Sequence, residues 1–155
     1  MRKIRSGSLQ LLNKKKILIF GKNSTLAKDL LKILNKKYFD IELIGKKNIN
    51  FLSSNFEKKI ELFIKKHNPD IILNFIGKFQ LNEKADKDIL LLNLYANWLI
   101  IKYFLKNKIL KKTSLIFLGS SSASSPRKNY MLYAASKTGL NNLVISSNDH
   151  FKNTT

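Results

Sequence analysis

Four short apolar runs, each followed by a glycine, alternate with segments of helical periodicity along this chain of 155 residues. A short apolar run that ends at a turn signal is typical of a buried strand. Strands that alternate with helices indicate a parallel sheet with right-handed crossovers and helices on both faces. The sequence therefore predicts a doubly wound α/β fold. The runs cover residues 16–20, 40–44, 70–76 and 113–118, and their glycines are Gly21, Gly45, Gly77 and Gly119.

The segments between the runs have the period of amphipathic helices. The first helix begins at Thr25, with Ser24 as its N-cap, because the serine hydroxyl can accept a hydrogen bond from a free backbone N–H. A second helix over residues 55–67 must end before Pro69, since a proline disfavours the helical conformation at the residue before it. Two further helices are predicted over residues 88–107 and 130–148, and a brief additional strand over residues 49–52.

Length and composition predict one domain with a single core, because 44% of the residues are apolar. We divide the chain into a basic lead-in, residues 1–15, and a domain, residues 16–155. There is no cysteine and the two histidines, His67 and His150, lie far apart, so we expect neither a disulfide nor a structural metal. Residues 6–13 are too polar and too short for the core of a signal peptide. These features favour a reduced, cytoplasmic protein.

The longest apolar stretch covers residues 89–105. It is shorter than the roughly 20 residues that cross a bilayer, and Lys102 would lie within the hydrocarbon, so we expect no membrane span. A helix that is apolar nearly all round is expected to pack on the sheet with one side and on a partner subunit with the other. Trp98, Ile101 and Leu105 are the side chains expected to face that partner.

The formal net charge of +19 favours non-specific attraction to polyanions. Only three of the 29 basic residues, Arg2, Arg5 and Arg127, are arginines, whereas readout of bases and phosphates relies on the guanidinium group. The lysines are also spread along the whole chain. We therefore expect no specific nucleic-acid ligand.

The four predicted strands end at one edge of the sheet, which is where open parallel sheets bind ligands. The turn over residues 21–27 could hold a phosphate there, because free N–H groups and the helix dipole favour anions. In a Gly-x-x-x-Gly-x-Gly pattern Thr25 and Ala27 replace the second and third glycines, and in a Gly-x-x-Gly-x-x-Gly pattern Ser24 and Ala27 do so. The turn is thus either a phosphate site or a plain strand-to-helix connection.

Tyr133 and Lys137 are four residues apart and therefore share one face of the last predicted helix. A phenol with a pKa near 10 is nearly inert in proton transfer at neutral pH. A cation held against it in a dry cleft favours the phenolate and lowers that pKa, which general acid-base catalysis requires. The alternative is an ordinary amphipathic helix that carries a tyrosine and a lysine.

Together these features resemble the short-chain dehydrogenase/reductase family. The Gly21 turn follows the first strand, and residues 74–77 read Asn-Phe-Ile-Gly where the family usually shows Asn-Asn-Ala-Gly. Asn93 lies in the long helix, and the spacing from Ser120 to Tyr133 and Lys137 is that of the family. The resemblance covers residues 16 to about 148. It implies a Rossmann-like sheet with strand order 3-2-1-4-5.

The resemblance also implies an NAD(P)-dependent oxidoreductase that transfers hydride between a nicotinamide and a carbonyl or alcohol. Ser121 and Ser122 remain alternatives to Ser120, and a structural amide remains the alternative for Asn93. In the implied roles Tyr133 passes the proton, Lys137 lowers the tyrosine pKa and holds the nicotinamide ribose, Ser120 hydrogen-bonds the carbonyl, and Asn93 holds a water of the proton relay.

Lys46 and Lys47 follow the second strand. An NAD site usually offers a carboxylate to the ribose 2′-hydroxyl there, whereas a basic residue suits a 2′-phosphate, so NADP(H) is favoured over NAD(H). The residues expected to bind the cofactor are Gly21, Asn23, Ser24, Thr25, Leu26, Lys46, Asn74, Gly77, Tyr133 and Lys137.

Members of the family are longer, and we expect this chain to lack their C-terminal strand and substrate lid. Three functions stay open: a reductase, acting alone or completed by another chain; a truncated, catalytically weak nucleotide-binding or interaction protein; and a basic polyanion binder. Residues 66–74 and 20–22 look similar to sugar-nucleotide reductases, so a sugar nucleotide is a possible substrate. The resemblance further implies a homodimer through the long helix and the Tyr133 helix.

Overall fold

The computed structural model of the protein describes residues 13–51, 53–79, 86–107, 113–125 and 128–152. Strands and helices alternate through these ranges, as the pattern of apolar runs predicts. In chain order they are β1 (Lys15–Phe20), α1 (Thr25–Ile33), β2 (Phe39–Ile44), α2 (Phe56–His67), β3 (Ile71–Asn74), α3 (Asp86–Leu90), a π-helical turn (Leu91–Tyr95), α4 (Ala96–Asn107), β4 (Ser114–Phe117), a 3-10 turn (Ser121–Ala123) and α5 (Met131–Lys152).

The four strands form one parallel sheet in the order β2-β1-β3-β4. Phe20 at the end of β1 lies opposite Ile44 of β2 and Asn74 of β3, so these strands end at the same level. The predicted doubly wound parallel sheet is confirmed. The observed order is also the predicted one once the additional strand is left out.

That additional strand, predicted over residues 49–52, is wrong for the part that the structure describes, residues 49–51. The carbonyl of Gly45 accepts hydrogen bonds from the N–H groups of Asn48 and Ile49, at 2.9 and 3.0 Å. The chain therefore turns immediately after β2 instead of extending. Ile49 is apolar because its side chain enters the core from this turn, and not because it belongs to a strand.

The sheet separates two apolar cores, because successive side chains of β1 point to opposite faces. Leu18 and Phe20 belong to the larger core, against α2 and α4, and Ile17 and Ile19 belong to the smaller core, against α1. All four side chains are at most 3% exposed. The two cores hold the strands in place, and the candidate site lies at the carboxyl ends of these strands.

The helix ends follow the sequence signals. The hydroxyl of Ser24 accepts a hydrogen bond from the N–H of Ala27 at 3.1 Å, as predicted for the N-cap of α1. Asn68, which precedes Pro69, has a left-handed conformation with φ of 42° and ends α2. Asparagine adopts that conformation more readily than most residues.

Residues 86–107 form one helical run, the only one in the described ranges that is long and apolar enough, by length and composition, to cross a membrane. Half of the 18-residue stretch that meets this test is buried inside the fold. Ile101, which we expected on the partner-facing side, is 1% exposed, so that prediction is wrong. Trp98 and Leu105 are half-buried. The run is apolar on several sides because the protein itself covers it with α2, α5 and the sheet.

Candidate functional site

A cleft of about 360 Å³ opens at the carboxyl ends of the strands. Its walls come from the turn after β1, the turn after β2, and the loop after β3, which are the turns that the glycine-marked strand ends predict. The cofactor-binding candidates that line it are Gly21, Asn23, Ser24, Lys46 and Gly77. Thr25 and Leu26 begin α1 beside the cleft, with exposed side chains.

Gly21 is the residue of the first turn that no other amino acid can replace without strain. It has φ of 84°, in the left-handed region. A Cβ on Gly21 would lie 2.8 Å from the carbonyl carbon of Phe75 and 3.0 Å from the nitrogen of Ile76. Gly21 therefore lets the backbone of the first turn approach the backbone of the loop after β3.

Three lysines lie close to the end of β2. Lys46 and Lys47 follow Gly45 directly and are exposed. The side chain of Lys22, from the turn after β1, lies over Gly45, so that a Cβ there would be 2.8 Å from its Cε. Sequence reasoning missed Lys22, because only the pairing of β1 with β2 brings its turn to Gly45.

Asn74 does not line the cleft. Its side chain is 1% exposed; its Nδ2 donates to Oδ1 of Asn97 at 2.6 Å, and its Oδ1 accepts from the N–H of Ile76 at 3.0 Å. It therefore shapes the loop after β3 from beneath. Asn97, a buried residue of α4 that sequence reasoning did not single out, in turn donates to the backbone carbonyl of Asn93 at 2.9 Å.

Asn93 lies in the π-helical turn and is fully buried. Its Oδ1 accepts from the N–H of Lys78 at 2.7 Å, and its Nδ2 donates to the carbonyl of Lys78 at 2.9 Å and to the hydroxyl of Ser136 at 3.2 Å. A Cβ on Gly77 would come within 3.1 Å of the same Oδ1. Asn93 thus joins the long helical run, the loop after β3 and α5. Single π turns occur frequently at functional sites.

Lys137 is 3% exposed, although its side chain ends in an amine. Burial lowers its pKa from the ordinary value of 10.5. Its Nζ donates to the carbonyl of Leu118 at 2.8 Å, which replaces part of the lost hydration. The same Nζ lies 5.9 Å from the centroid of the Tyr133 ring and 4.0 Å from where a Cβ of Gly77 would be. The buried amine therefore lies between the tyrosine and the loop after β3.

Tyr133 is half-buried and stands at one end of a row of three aromatic rings. Phe79 contacts it edge-on, with ring centroids 5.0 Å apart, and contacts Tyr130 at 4.9 Å. Phe79 was not a sequence candidate, because its loop reaches Tyr133 only through the tertiary fold. Phe79 is thus the central ring of the three and the one that contacts the phenol ring of Tyr133.

Ser120 follows β4 and caps the 3-10 turn, where its hydroxyl accepts from the N–H of Ser122 at 3.2 Å. Ser122, one of the two alternatives, is buried, and Ser121, the other, is exposed. The hydroxyl of Thr138 donates to the carbonyl of Ala123 at 2.9 Å, which fixes the serine turn to α5. Within the described residues, no three His, Cys, Asp or Glu side chains lie close enough together to hold a metal ion.

Neither family models nor curated proteins match the sequence, but solved structures match the fold. A dTDP-4-dehydrorhamnose reductase from Bacillus anthracis str. Ames, solved with NADP, matches with a TM-score of 0.71 and 18% identity, over 86% of this chain and 50% of that chain. A short-chain dehydrogenase/reductase from Vibrio parahaemolyticus matches with a TM-score of 0.77 and 15% identity, over 88% and 70%. A GDP-D-glycero-L-gluco-heptose synthase from Campylobacter jejuni, solved in the presence of NADPH, matches with a TM-score of 0.70 and 19% identity, over 90% and 45%.

The sheet and the helices on its two faces define a doubly wound α/β fold. More narrowly, the chain has the fold of the short-chain dehydrogenases/reductases, which confirms the resemblance predicted from the sequence at the level of the fold. It spans about half the length of the dehydrorhamnose reductase and of the heptose synthase.

Proposed function

We propose that the protein is an oxidoreductase that uses NADP(H) to interconvert a carbonyl and an alcohol. The observation that carries this proposal is the buried amine of Lys137, which lies between the ring of Tyr133 and Gly77 of the cleft. Placing a lysine in the interior is costly, and it is rare unless the group has a partner or a task. Here the interior position brings a cation to a phenol at the edge of a cleft that fits a dinucleotide.

The cleft suits a dinucleotide because two of the turns that line it carry glycines. Gly21 lets the turn at the start of α1 pack against the backbone of Phe75, and Gly77 packs beside Asn93 and Lys137. When bound, the nicotinamide supplies or accepts the hydride. The residues Gly21, Asn23, Ser24, Lys46, Gly77 and Lys137 would hold the cofactor.

In the proposed mechanism the hydroxyl of Tyr133 gives its proton to the substrate oxygen during reduction and takes it back during oxidation. The Lys137 ammonium, 5.9 Å from the centroid of the Tyr133 ring, would stabilise the negative charge that develops on the phenol oxygen as its proton is transferred. The hydroxyl of Ser120 accepts a hydrogen bond from its own turn and keeps its proton for the substrate carbonyl.

For Asn93 we propose one role for the side chain and another for the backbone carbonyl. Both N–H groups of its amide are engaged, by Lys78 and Ser136. We therefore assign to the side chain the positioning of Gly77 and Lys78. We propose that the backbone carbonyl of Asn93, which accepts from Asn97 at 2.9 Å, holds the relay water.

The preference for NADPH is supported by the lysines near the end of β2. Lys46 lines the cleft and Lys22 lies over Gly45, so both are placed to attract a 2′-phosphate. Fluorescence titrations with NADPH and NADH at low and moderate salt test this. We expect tighter binding of NADPH at both, and a loss of that preference in Lys22→Ala and Lys46→Ala. Lys36→Ala, which removes one exposed charge elsewhere, is the control.

Equal affinities, or a preference for NADH that survives moderate salt, would remove the assignment of NADP(H). Salt must be varied, because a chain with a net charge of +19 attracts phosphates non-specifically at low ionic strength.

For the substrate we propose a small carbonyl or alcohol compound, with sugar nucleotides as the class to test first. This rests on the sequence similarity of residues 66–74 and 20–22 and on the fold match to a dTDP-4-dehydrorhamnose reductase and a GDP-heptose synthase. The absence of cysteine further favours a reduced, cytoplasmic location.

We also propose a homodimer. A groove of about 620 Å³ runs between α5 and the helical run 86–107, and its walls are almost wholly apolar. Leu94, Trp98 and Leu143 line it, and Gly139 lets Leu94 approach α5 closely. A second copy would remove this apolar surface from water.

A second candidate function is nucleotide binding without turnover, and one observation favours it. In the described part of the chain β4 is the edge strand of the sheet. Ile116 in β4, Leu118 just after it, and Ile145 in α5 have exposed apolar side chains. Hydride transfer needs water to be excluded from the reacting atoms, and this side of the site is open. NADPH binding without turnover on panels of aldehydes, ketones and nucleotide sugars would favour this candidate.

A further inference from the structure

We propose that the carboxylate of Asp88 competes with the phosphates of the bound dinucleotide for the ammonium of Lys78. By this competition the Lys78–Asp88 pair limits how tightly the cleft holds its ligand. The inference rests on the proposed function for the identity of the ligand, but its chemistry needs only a diphosphate in the cleft.

The backbone of Lys78 is held by hydrogen bonds at both its N–H group and its carbonyl group. Its N–H donates to Oδ1 of Asn93 at 2.7 Å, and its carbonyl accepts from Nδ2 of the same residue at 2.9 Å. Because the backbone is clamped in this way, the flexible stem of the lysine alone decides where the ammonium goes. Its Nζ lies 2.6 Å from Oδ2 of Asp88.

The pair belongs to the cleft and not to the outer surface. Both residues line the cleft, and their side chains are 30% and 29% exposed. Such partial burial reduces the screening by water and salt relative to a fully exposed pair. The interaction is therefore stronger than that of an ordinary surface pair, but still open to a ligand in the cleft.

The diphosphate of a dinucleotide would lie within reach of this pair. The turn that receives a phosphate is packed, through Gly21, against the backbone of Phe75 and Ile76, and Lys78 follows two residues later in the same loop. Among the residues that line the cleft Lys46 and Lys78 are cations and Asp88 is the one carboxylate. Asp88 thus repels an anionic ligand and also holds one of the two cations that would bind it.

Charge-removing variants of the whole chain test the proposal, with ADP and NADPH as probes. Asp88→Asn should bind both about fivefold more tightly at low salt, which corresponds to about 1 kcal/mol, with a smaller gain at higher salt. Lys78→Met should weaken binding by a similar factor. Asp29→Asn is the matched control, since it removes the same charge from the exposed 2.7 Å pair of Asp29 with Lys32 on α1. It should change the affinity less than twofold.

The double variant separates competition from simple repulsion. If Lys78 exchanges partners, the gain from Asp88→Asn should largely vanish once Lys78 is methionine. A gain of the same size in both backgrounds, or no gain in Asp88→Asn, would overturn the proposal. Should Asp88→Asn fail to fold, by far-UV circular dichroism, Lys78→Met alone decides, and unchanged affinity in that variant overturns it.

ADP keeps this inference separate from the proposed function. If ADP binds and responds to Asp88→Asn while neither nicotinamide nucleotide binds, the pair acts as proposed and the reductase assignment falls. If NADPH binds to the wild type with no response to either charge, the reductase assignment stands and the inference falls.

Discussion

Gly21→Ala should destabilise the fold and the candidate cofactor site together. An alanine at φ of 84° costs about 1–3 kcal/mol of backbone strain. Its Cβ would also lie 2.8 and 2.9 Å from the carbonyl carbon and oxygen of Phe75, where no flexible side chain can move aside. Forcing a methyl group into such a place costs about 1–3 kcal/mol. We therefore expect a loss of about 2–6 kcal/mol in the free energy of unfolding, a large share of what a domain of this size has.

Urea denaturation followed by circular dichroism measures this loss, and NADPH titration of the protein that remains folded measures the effect on binding. Gly119→Ala is the matched control, because Gly119 also stands just after a strand. Its added Cβ would lie 3.7 Å from the nearest atom, Oδ1 of Asn141, and its φ is not positive. That variant should stay within about 1 kcal/mol of the wild type and can even gain stability, since alanine restricts the unfolded chain.

Binding should follow the same order. In Gly21→Ala the loop with Phe75 must move away from the first turn, so NADPH affinity should fall by about tenfold or more, whereas Gly119→Ala should bind normally. If both variants have the same urea midpoint and the same affinity, the close approach of the two backbones does not shape this site, and the argument from Gly21 fails.

Three further predictions concern catalysis, pH and assembly. Tyr133→Phe should lower any carbonyl reduction by about 10²–10⁴-fold while NADPH binding stays nearly intact, because only a proton donor is lost; wild-type turnover in this variant would refute the mechanism. Burial lowers the pKa of Lys137 in the folded state, so unfolding takes up a proton between that lowered pKa and the ordinary value of 10.5, and stability should rise with pH through this window. Lys137→Met should remove this pH-dependent part of the stability and be the more stable protein at neutral pH. Urea denaturation at several pH values measures this, and an identical pH dependence in both proteins would contradict the prediction. Finally, the wild type should sediment as a dimer at micromolar concentration and Trp98→Lys as a monomer, whereas a monomeric wild type would exclude the proposed interface.

The features that the sequence determined are those set by neighbours along the chain. Each of the four short apolar runs that precede a glycine contains a strand, and the cap of α1 at Ser24 and the end of α2 at Asn68 depend on residues within one turn. The four-residue spacing likewise placed Lys137 near the ring of Tyr133. The parallel sheet followed, because alternating strands and helices have few other ways to pack.

The tertiary structure decided what depends on residues far apart in the chain. Residues 49–51 were predicted as part of a strand, but the hydrogen bonds from Asn48 and Ile49 to the carbonyl of Gly45 turn the chain at this point. Ile101 belongs to the core because this fold covers several sides of the long helix, whose own periodicity could not tell a partner subunit from α5 or the sheet.

The candidate site divides in the same way. Its glycines and the Tyr133–Lys137 pair carry local signals, whereas Lys22 over Gly45, the bond of Asn97 to Asn74, and the Lys78–Asp88 pair join separate segments. Polar side chains such as these occur throughout the sequence with no pattern that marks them. They acquire partners only when the strands pair, because strand register and helix packing alone determine which loops meet at the edge of the sheet.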